Sequence, residues 1–282
     1  MIKVALMYDF DKTLSPKDMQ EFSFIPSVGF DDPKAFWKEV DQFKNKNQMD
    51  SILAYMYMML RKAEAADQPI RREDFVKLGK EIVLYPGVET WFERINEFGK
   101  NLGLDIEHYV ISSGLAEIIE GTDIASNFKE IYACRFCYNA SGVAVWPAVM
   151  VNYTTKTQYI YRINKGVLDV TNDVDLNKSM PESEKRIPFE RMIYIADGFT
   201  DVPCMKLVKQ NGGKAIAVYN QETGDDSVAS SLADARRVDF VAPCDYNEGT
   251  EIDLIVKNIL QHMASDYQMI LLAYKSKQKE LS

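Results

Sequence analysis

Val4-Ala5-Leu6-Met7-Tyr8-Asp9-Phe10-Asp11-Lys12-Thr13-Leu14-Ser15 is the stretch on which the reading of this chain turns. An apolar run that breaks this abruptly into charge reads as a strand buried on both faces. Asp9 and Asp11 are two apart, so an extended backbone sends both side chains to one side and Phe10 to the other, into a core. In an open α/β sheet, the carboxyl end of a strand is where such folds take their ligands. A polar loop after a first strand is the plainer account of the same two acids, because Asp is common in turns. The rest of the chain has to decide.

The chain has 282 residues, enough for a sizeable core in one large domain or two modest ones. With 46% hydrophobic and 27% charged residues it falls in the ordinary globular range, which argues against disorder. A formal net charge of -9 argues against non-specific binding to nucleic acid or to an anionic membrane. An anionic ligand would have to meet positive charge supplied locally, by a bound metal ion or by a few placed Lys and Arg residues. No apolar run approaches the ~18 to 20 residues of a membrane span. Lys3 is followed at once by the strand that carries the two acids, which leaves no removable secretory leader. The expectation is a cytoplasmic protein with no nucleic-acid and no membrane partner. The 4 cysteines are too few for a disulfide framework, and Cys134 and Cys137 form the close pair. They are either zinc ligands short of two partners, Cys204 and Cys244 being distant in sequence, or cysteines in a hairpin.

From Pro16 to about Tyr85 the pattern is helical throughout, with apolar spacing in Phe36-Trp37-Val40-Phe43 and in Ile52-Leu53-Met56-Tyr57-Leu60. Asp50-Ser51 is placed to cap the second of these helices. The run Tyr55 to Leu60 offers either an adaptable Met-rich ligand surface or, by its helical spacing, a packed module core. Tyr85-Pro86-Gly87-Val88 ends the module, and Thr90-Trp91-Phe92-Ile95-Phe98 is an amphipathic helix closing near Gly99 and Gly103. His108 to Gly114 reads as a strand running into a tight turn. Its Ser112 and Ser113 either serve an anion with hydroxyl and backbone N–H groups or cap the helix that follows.

A hairpin follows over residues 130–146, turning at Asn139-Ala140-Ser141-Gly142. Lys156 opens the next helix, where a cation is unfavourable against the macrodipole, so it is either solvated or close to an anion. Residues 165–187 are polar and aperiodic and read as a surface insertion with freedom to move. Met192-Ile193-Tyr194-Ile195-Ala196 is another apolar strand that breaks into acid, as Asp197-Gly198-Phe199-Thr200-Asp201, with Asp201 starting a helix. Short strands near 215–219 and 239–242 and a long amphipathic helix from Glu251 to about Lys277 complete an α/β chain with a parallel-sheet core.

Asp9-Phe10-Asp11-Lys12-Thr13, Ser112, Lys156 and Asp197-Gly198-Phe199-Thr200-Asp201, in that order, closely resemble the haloacid dehalogenase-like (HAD) superfamily of phosphotransferases. The resemblance covers essentially the whole chain. It implies a Rossmann-like, HAD-type core over 1–15 and 87–282, interrupted by an all-helical cap of the C1 type over 16–86. Pro86-Gly87-Val88 resembles the return to the core in the phosphoserine phosphatase-like branch. The implied activity is phosphomonoester hydrolysis of a small phosphorylated metabolite through an aspartyl-phosphate. Asp9 would be nucleophile and metal ligand, and Asp11 the general acid and base with its backbone carbonyl on the metal. Ser112, Ser113 and Lys156 would hold the phosphoryl oxygens, and Asp197 would complete the metal site. Asp201 would anchor a metal-bound water or Lys156. A phosphate dianion is repelled by these four acids, so a hard divalent cation is required, and an all-oxygen site suits Mg2+.

Two departures carry weight. Residues 165–187 lengthen the gap between Lys156 and the last motif, which leaves Lys165 and Lys178 as substitutes for Lys156. Asp18 stands where phosphoserine phosphatases carry a cap acid, with Glu21 nearby, while no matching arginine can be chosen among Arg61, Arg71 and Arg72. The same chemistry would also serve a phosphotransferase or mutase. A phospho-accepting signalling module like a response-regulator receiver would gain nothing from Asp11 or a lid, and a histidine-based hydrolase finds only His108 and His262.

Overall fold

The computed structural model describes residues 1–280. Its strands, in chain order, are β1 (Ile2–Tyr8), β2 (Leu104–Leu115), β3 (Phe128–Tyr138), β4 (Ala144–Val149), β5 (Met192–Ala196), β6 (Lys214–Tyr219) and β7 (Phe240–Pro243). They form a seven-stranded sheet ordered β4-β3-β2-β1-β5-β6-β7. All neighbours pair in parallel except β3 and β4, which form the expected antiparallel hairpin. Val4 to Tyr8 are fully buried, as a central strand covered on both faces must be. The chain leaves β1 for β2 and β3 on one side and returns to β5, β6 and β7 on the other. The carboxyl end of β1 is therefore the point where the strand order reverses and a crevice opens.

Between β1 and β2 lie the helices α1 (Phe24–Ser27), α2 (Pro33–Asn47), α3 (Ser51–Ala65) and α4 (Arg72–Leu78). Asp32 starts α2 by accepting from Lys34 N–H, with Pro33 in the first turn where its missing N–H costs nothing. Asp50 caps α3, its Oδ1 accepting from the N–H groups of Ile52 (2.9 Å) and Leu53 (3.2 Å). Met56, Met58 and Met59 are buried, so the Met-rich run is module core. The module packs against the helical segment after β2 through Gly79 and Gly121, where neither position has room for a side chain.

Helix α5 (Val88–Asn101) lays Trp91, Phe92 and Ile95 on the sheet. Strand β2 continues through Ser112 and Ser113 into the short α6 (Ala116–Glu120). Neither serine caps that helix. The N-cap position is Leu115, with no side-chain bond. Helix α7 (Lys156–Lys165) ends at Gly166, whose φ of 78° is the left-handed conformation a helix C-terminus uses. The insertion after it is pinned rather than free. Buried Arg162 donates to the carbonyls of Asp169 (2.7 Å), Val170 (3.0 Å) and Asn172 (3.2 Å) and to Asp173 Oδ1 (2.7 Å), and holds the segment that carries α8 (Asp173–Asn177). Helices α9 (Val202–Gln210), α10 (Ser227–Asp234) and α11 (Glu251–Glu280) flank β5, β6 and β7. Among the described residues no helix is long and apolar enough to cross a membrane.

Candidate active site

Parallel pairing sets the level at which each acid arrives. Tyr8 faces Val110 on β2 and Ile195 on β5, so Asp9 and Asp197 emerge just beyond the ends of β1 and β5, while Ser112 lies two residues past that level within the longer β2. The Asp9 N–H donates to the Ile195 carbonyl at 3.0 Å and fixes the chain there. Past it the backbone folds into a tight turn in which the N–H groups of Thr13, Leu14 and Ser15 share the Phe10 carbonyl. Lys12 passes this turn at a φ of 58°. That left-handed conformation costs a residue with a side chain about 1 kcal/mol, which the three hydrogen bonds to the Phe10 carbonyl help to offset.

Asp9, Asp197 and Asp201 each bring a carboxylate oxygen within 4.8 Å of the others. Lys156 is fully buried between two of them, donating to Asp9 Oδ2 at 2.8 Å and to Asp201 Oδ1 at 2.7 Å. The anion that offsets its position at the start of α7 is thus this pair of acids. Lys165 and Lys178 do not reach the cluster: Lys165 donates to the carbonyls of Leu176 and Lys178, and Lys178 pairs with Asp175. Asp201 begins α9 but spends no oxygen on capping it. Its Oδ1 accepts from Lys156 and from the Tyr194 hydroxyl (2.6 Å), and its Oδ2 from Thr200 Oγ1 (3.1 Å).

Asp11 Oδ1 accepts from the Met19 N–H at 2.8 Å. Burial, then the Asp18 and Asp9 charges, push its pKa well above the usual carboxylate range. Buried Ser112 accepts the Gly114 N–H at 3.0 Å, which leaves its own proton to donate elsewhere. The Ser113 carbonyl accepts the Tyr55 hydroxyl from α3 (2.7 Å) and the Cys134 thiol (3.3 Å), so the helical module is tied to this loop. All four cysteines carry free thiols, and Cys134 and Cys137 lie on the hairpin strand β3. Asp18 forms an ion pair with Lys12 at 2.9 Å, and Glu21 accepts from Trp37 Nε1 at 3.0 Å. Arg61 and Arg72 are engaged by Glu64 and Glu120. His108 is a core residue between Tyr8 and Asn96.

Lys156 bridges Asp9 and Asp201, and the Lys12 charge acts on Asp197 from beside the cluster, which still holds more acids than cations. Burial and the Asp201 charge push Asp9 up to about 8, and the same two causes push Asp197 up to about 6. Burial alone would lower the Lys156 pKa, but Asp201 and Asp9 outweigh it and hold it above its ordinary value. An all-oxygen donor set with excess negative charge fits a hard divalent cation such as Mg2+. Tyr194, Thr13, which donates to Asp197 Oδ1 at 3.3 Å, and Met19 were not marked by sequence reasoning as acting on these acids. Thr13 lies within the quoted motif and could have been found. Tyr194 reads as a core residue of an apolar strand, and Met19 contributes only a backbone N–H.

No family model matches the sequence. A protein of Borreliella burgdorferi strain B31, described as an uncharacterized protein, is 27% identical over 276 residues, spanning 88% of this chain and 93% of that one. Among solved structures, a HAD family hydrolase from Salmonella enterica serovar Typhi superimposes with a TM-score of 0.58 at 12% identity, covering 90% of this chain and 70% of that chain. A substrate-bound phosphoserine phosphatase gives 0.53 at 16% identity, with coverage of 86% and 93%. The unliganded probable phosphoserine phosphatase of Vibrio cholerae gives 0.58 at 10% identity, with coverage of 94% and 67%. At these identities the likeness is one of fold, and the fold is HAD-like, of the phosphoserine phosphatase-like kind.

Proposed function

We propose that the chain is a magnesium-dependent phosphomonoester phosphatase of the cytoplasm, acting on a small phosphorylated metabolite through an aspartyl-phosphate. The observation that supports this reading is the buried Lys156 held between Asp9 and Asp201, with Asp197 at the rim, where β1 and β5 end. In this reading a carboxylate oxygen of Asp9 attacks phosphorus. The bond from phosphorus to the alcohol oxygen breaks, its electron pair leaves on that oxygen, and Asp11 supplies the proton. The raised proton affinity of Asp11 suits an acid that must hold its proton near neutral pH. Asp11 then takes a proton from water as the water oxygen attacks phosphorus. The bond to Asp9 breaks, its electron pair returns to the carboxylate, and inorganic phosphate leaves.

Ser112, Ser113 and Lys156 hold the phosphoryl oxygens as charge develops on them. Asp9, Asp197 and the Asp11 backbone carbonyl would hold Mg2+, which when bound offsets the repulsion between a phosphate dianion and the acids. Residues 1–15 and 87–282 form the catalytic core, and the helical module over 16–86 is the cap, with Asp18 and Glu21 at its entry as substrate contacts.

Incubating the purified protein with p-nitrophenyl phosphate tests this reading. Phosphate release is expected with Mg2+, is lost on chelation, and falls about a thousandfold or more in Asp9→Asn. Robust turnover by that variant would overturn the assignment of the nucleophile.

A further inference from the structure

Any acid whose carboxylate lies within reach of two others is by residue type a cation ligand, and Asp201 meets that description as well as Asp9 and Asp197 do. Its hydrogen bonds say otherwise. A carboxylate offers about four lone-pair directions, and three of those on Asp201 are already taken, by Lys156, Tyr194 and Thr200. Thr200 adjoins Asp201 in sequence, so Tyr194 is the uncharged donor brought to it from another element. It lies in β5, fully buried, and strand alternation sends its ring to the face opposite Ile193 and Ile195. Its hydroxyl reaches the oxygen that Lys156 also uses, at 2.6 Å against 2.7 Å for the lysine.

We infer that Tyr194 is a positioning residue that divides the acidic cluster in two: its hydroxyl commits Asp201 to Lys156 and leaves Asp9 and Asp197 to the cation. The inference rests on the metal site of the phosphatase reading. Tyr194 touches neither substrate nor cation and acts through Asp201. With the hydroxyl removed, Asp201 keeps its charge but loses a restraint on the shared oxygen. The freed carboxylate turns toward the cation, and Lys156 loses the partner that aims it.

This makes two measurements move in opposite directions in Tyr194→Phe, a change that keeps the buried ring. Mg2+ binding to the metal-free protein, followed by calorimetry, tightens about threefold or more, because a further charged oxygen is available to the ion. The kcat for p-nitrophenyl phosphate falls about 10- to 100-fold, the range for partners that orient a site's ligands, with KM little changed. General loosening of the site would weaken metal binding and turnover together. The double variant Tyr194→Phe/Asp201→Asn removes the charge that was freed, and the tightening disappears. Mg2+ affinity that is unchanged or weaker in Tyr194→Phe, at the thermal midpoint of the unaltered protein, would overturn the inference while leaving the phosphatase reading intact. An unaltered protein that binds no Mg2+ would remove the metal site and the partition together.

Discussion

Lys156 is an ammonium without solvent, and both of its partners are acids. Breaking a buried pair by removing one partner costs about 3 to 5 kcal/mol, because the charge left behind is uncompensated. Lys156→Met keeps most of the side-chain volume and leaves Asp9 and Asp201 without the ammonium that bridges them. Urea unfolding in chelator is expected to show a loss of about 3 kcal/mol. In saturating Mg2+ the loss is expected to shrink, since a divalent ion offsets the same charges, and equal losses in the two conditions would refute this account. The sequence exposes Lys156 because a cation at a helix start fits badly unless an anion is near. It exposes Asp9 and Asp11 because spacing of two on a strand puts both on one side. It hides Tyr194, since an aromatic in an apolar strand carries no mark of what its hydroxyl does. The placement of Asp18 is hidden for a different reason: its partner Lys12 lies outside the helical module, so the pair depends on how that module docks.

That docking is decided between elements. A Cβ on Gly121, at the end of α6, would lie 1.9 Å from the Val76 carbonyl oxygen of α4, and one on Gly79 would lie 2.2 Å from the Ile118 carbonyl of α6. The obstacle in each case is backbone, which cannot rotate aside. Gly121→Ala is therefore expected to destabilise the protein by about 2 kcal/mol, in the range for overpacking a fitted interface, as read from the midpoint of urea unfolding at constant slope. A variant with the stability of the unaltered chain would show that α4 and α6 are not in this contact. Helices with strong local signals were legible, such as α3 from its Asp50 cap and α5 from its apolar spacing and the glycines at its end. The role of Ser112 as a cap was not borne out, because β2 runs three residues further before α6 begins. The order within 165–187 was illegible because it is imposed from outside by Arg162, whose reach to four acceptors is a tertiary fact.

Across the whole molecule, the sheet holds one more titratable group in its core, and it responds to acid separately from the site. His108 lies on β2 with Nδ1 3.0 Å from the Tyr8 hydroxyl and Nε2 3.0 Å from Asn96 Oδ1, while Trp91 Nε1 donates to the same hydroxyl at 2.9 Å. Since Trp91 supplies a donor, Tyr8 gives its own proton to Nδ1, and Nε2 carries the histidine's proton to Asn96. A second proton on the ring would meet the Tyr8 proton head on, and burial holds the His108 pKa down to about 3 from an ordinary 6.5. The folded state refuses a proton that the unfolded state accepts between those two values. The resulting stability is present in full above about 6.5 and is lost as pH falls toward 3, at about 1.4 kcal/mol per pH unit inside the window. His108→Gln keeps a donor for Asn96 and has nothing to protonate, so it is expected to be less stable than the unaltered chain at neutral pH yet to lose less on acidification. Both proteins carry the same carboxylates, so subtracting their urea stabilities at pH 7, 6, 5 and 4 cancels the titration of the site and leaves that of His108. Parallel pH profiles for the two would show that the core histidine is already charged, and the proton arrangement among Trp91, Tyr8, His108 and Asn96 would have to be reversed.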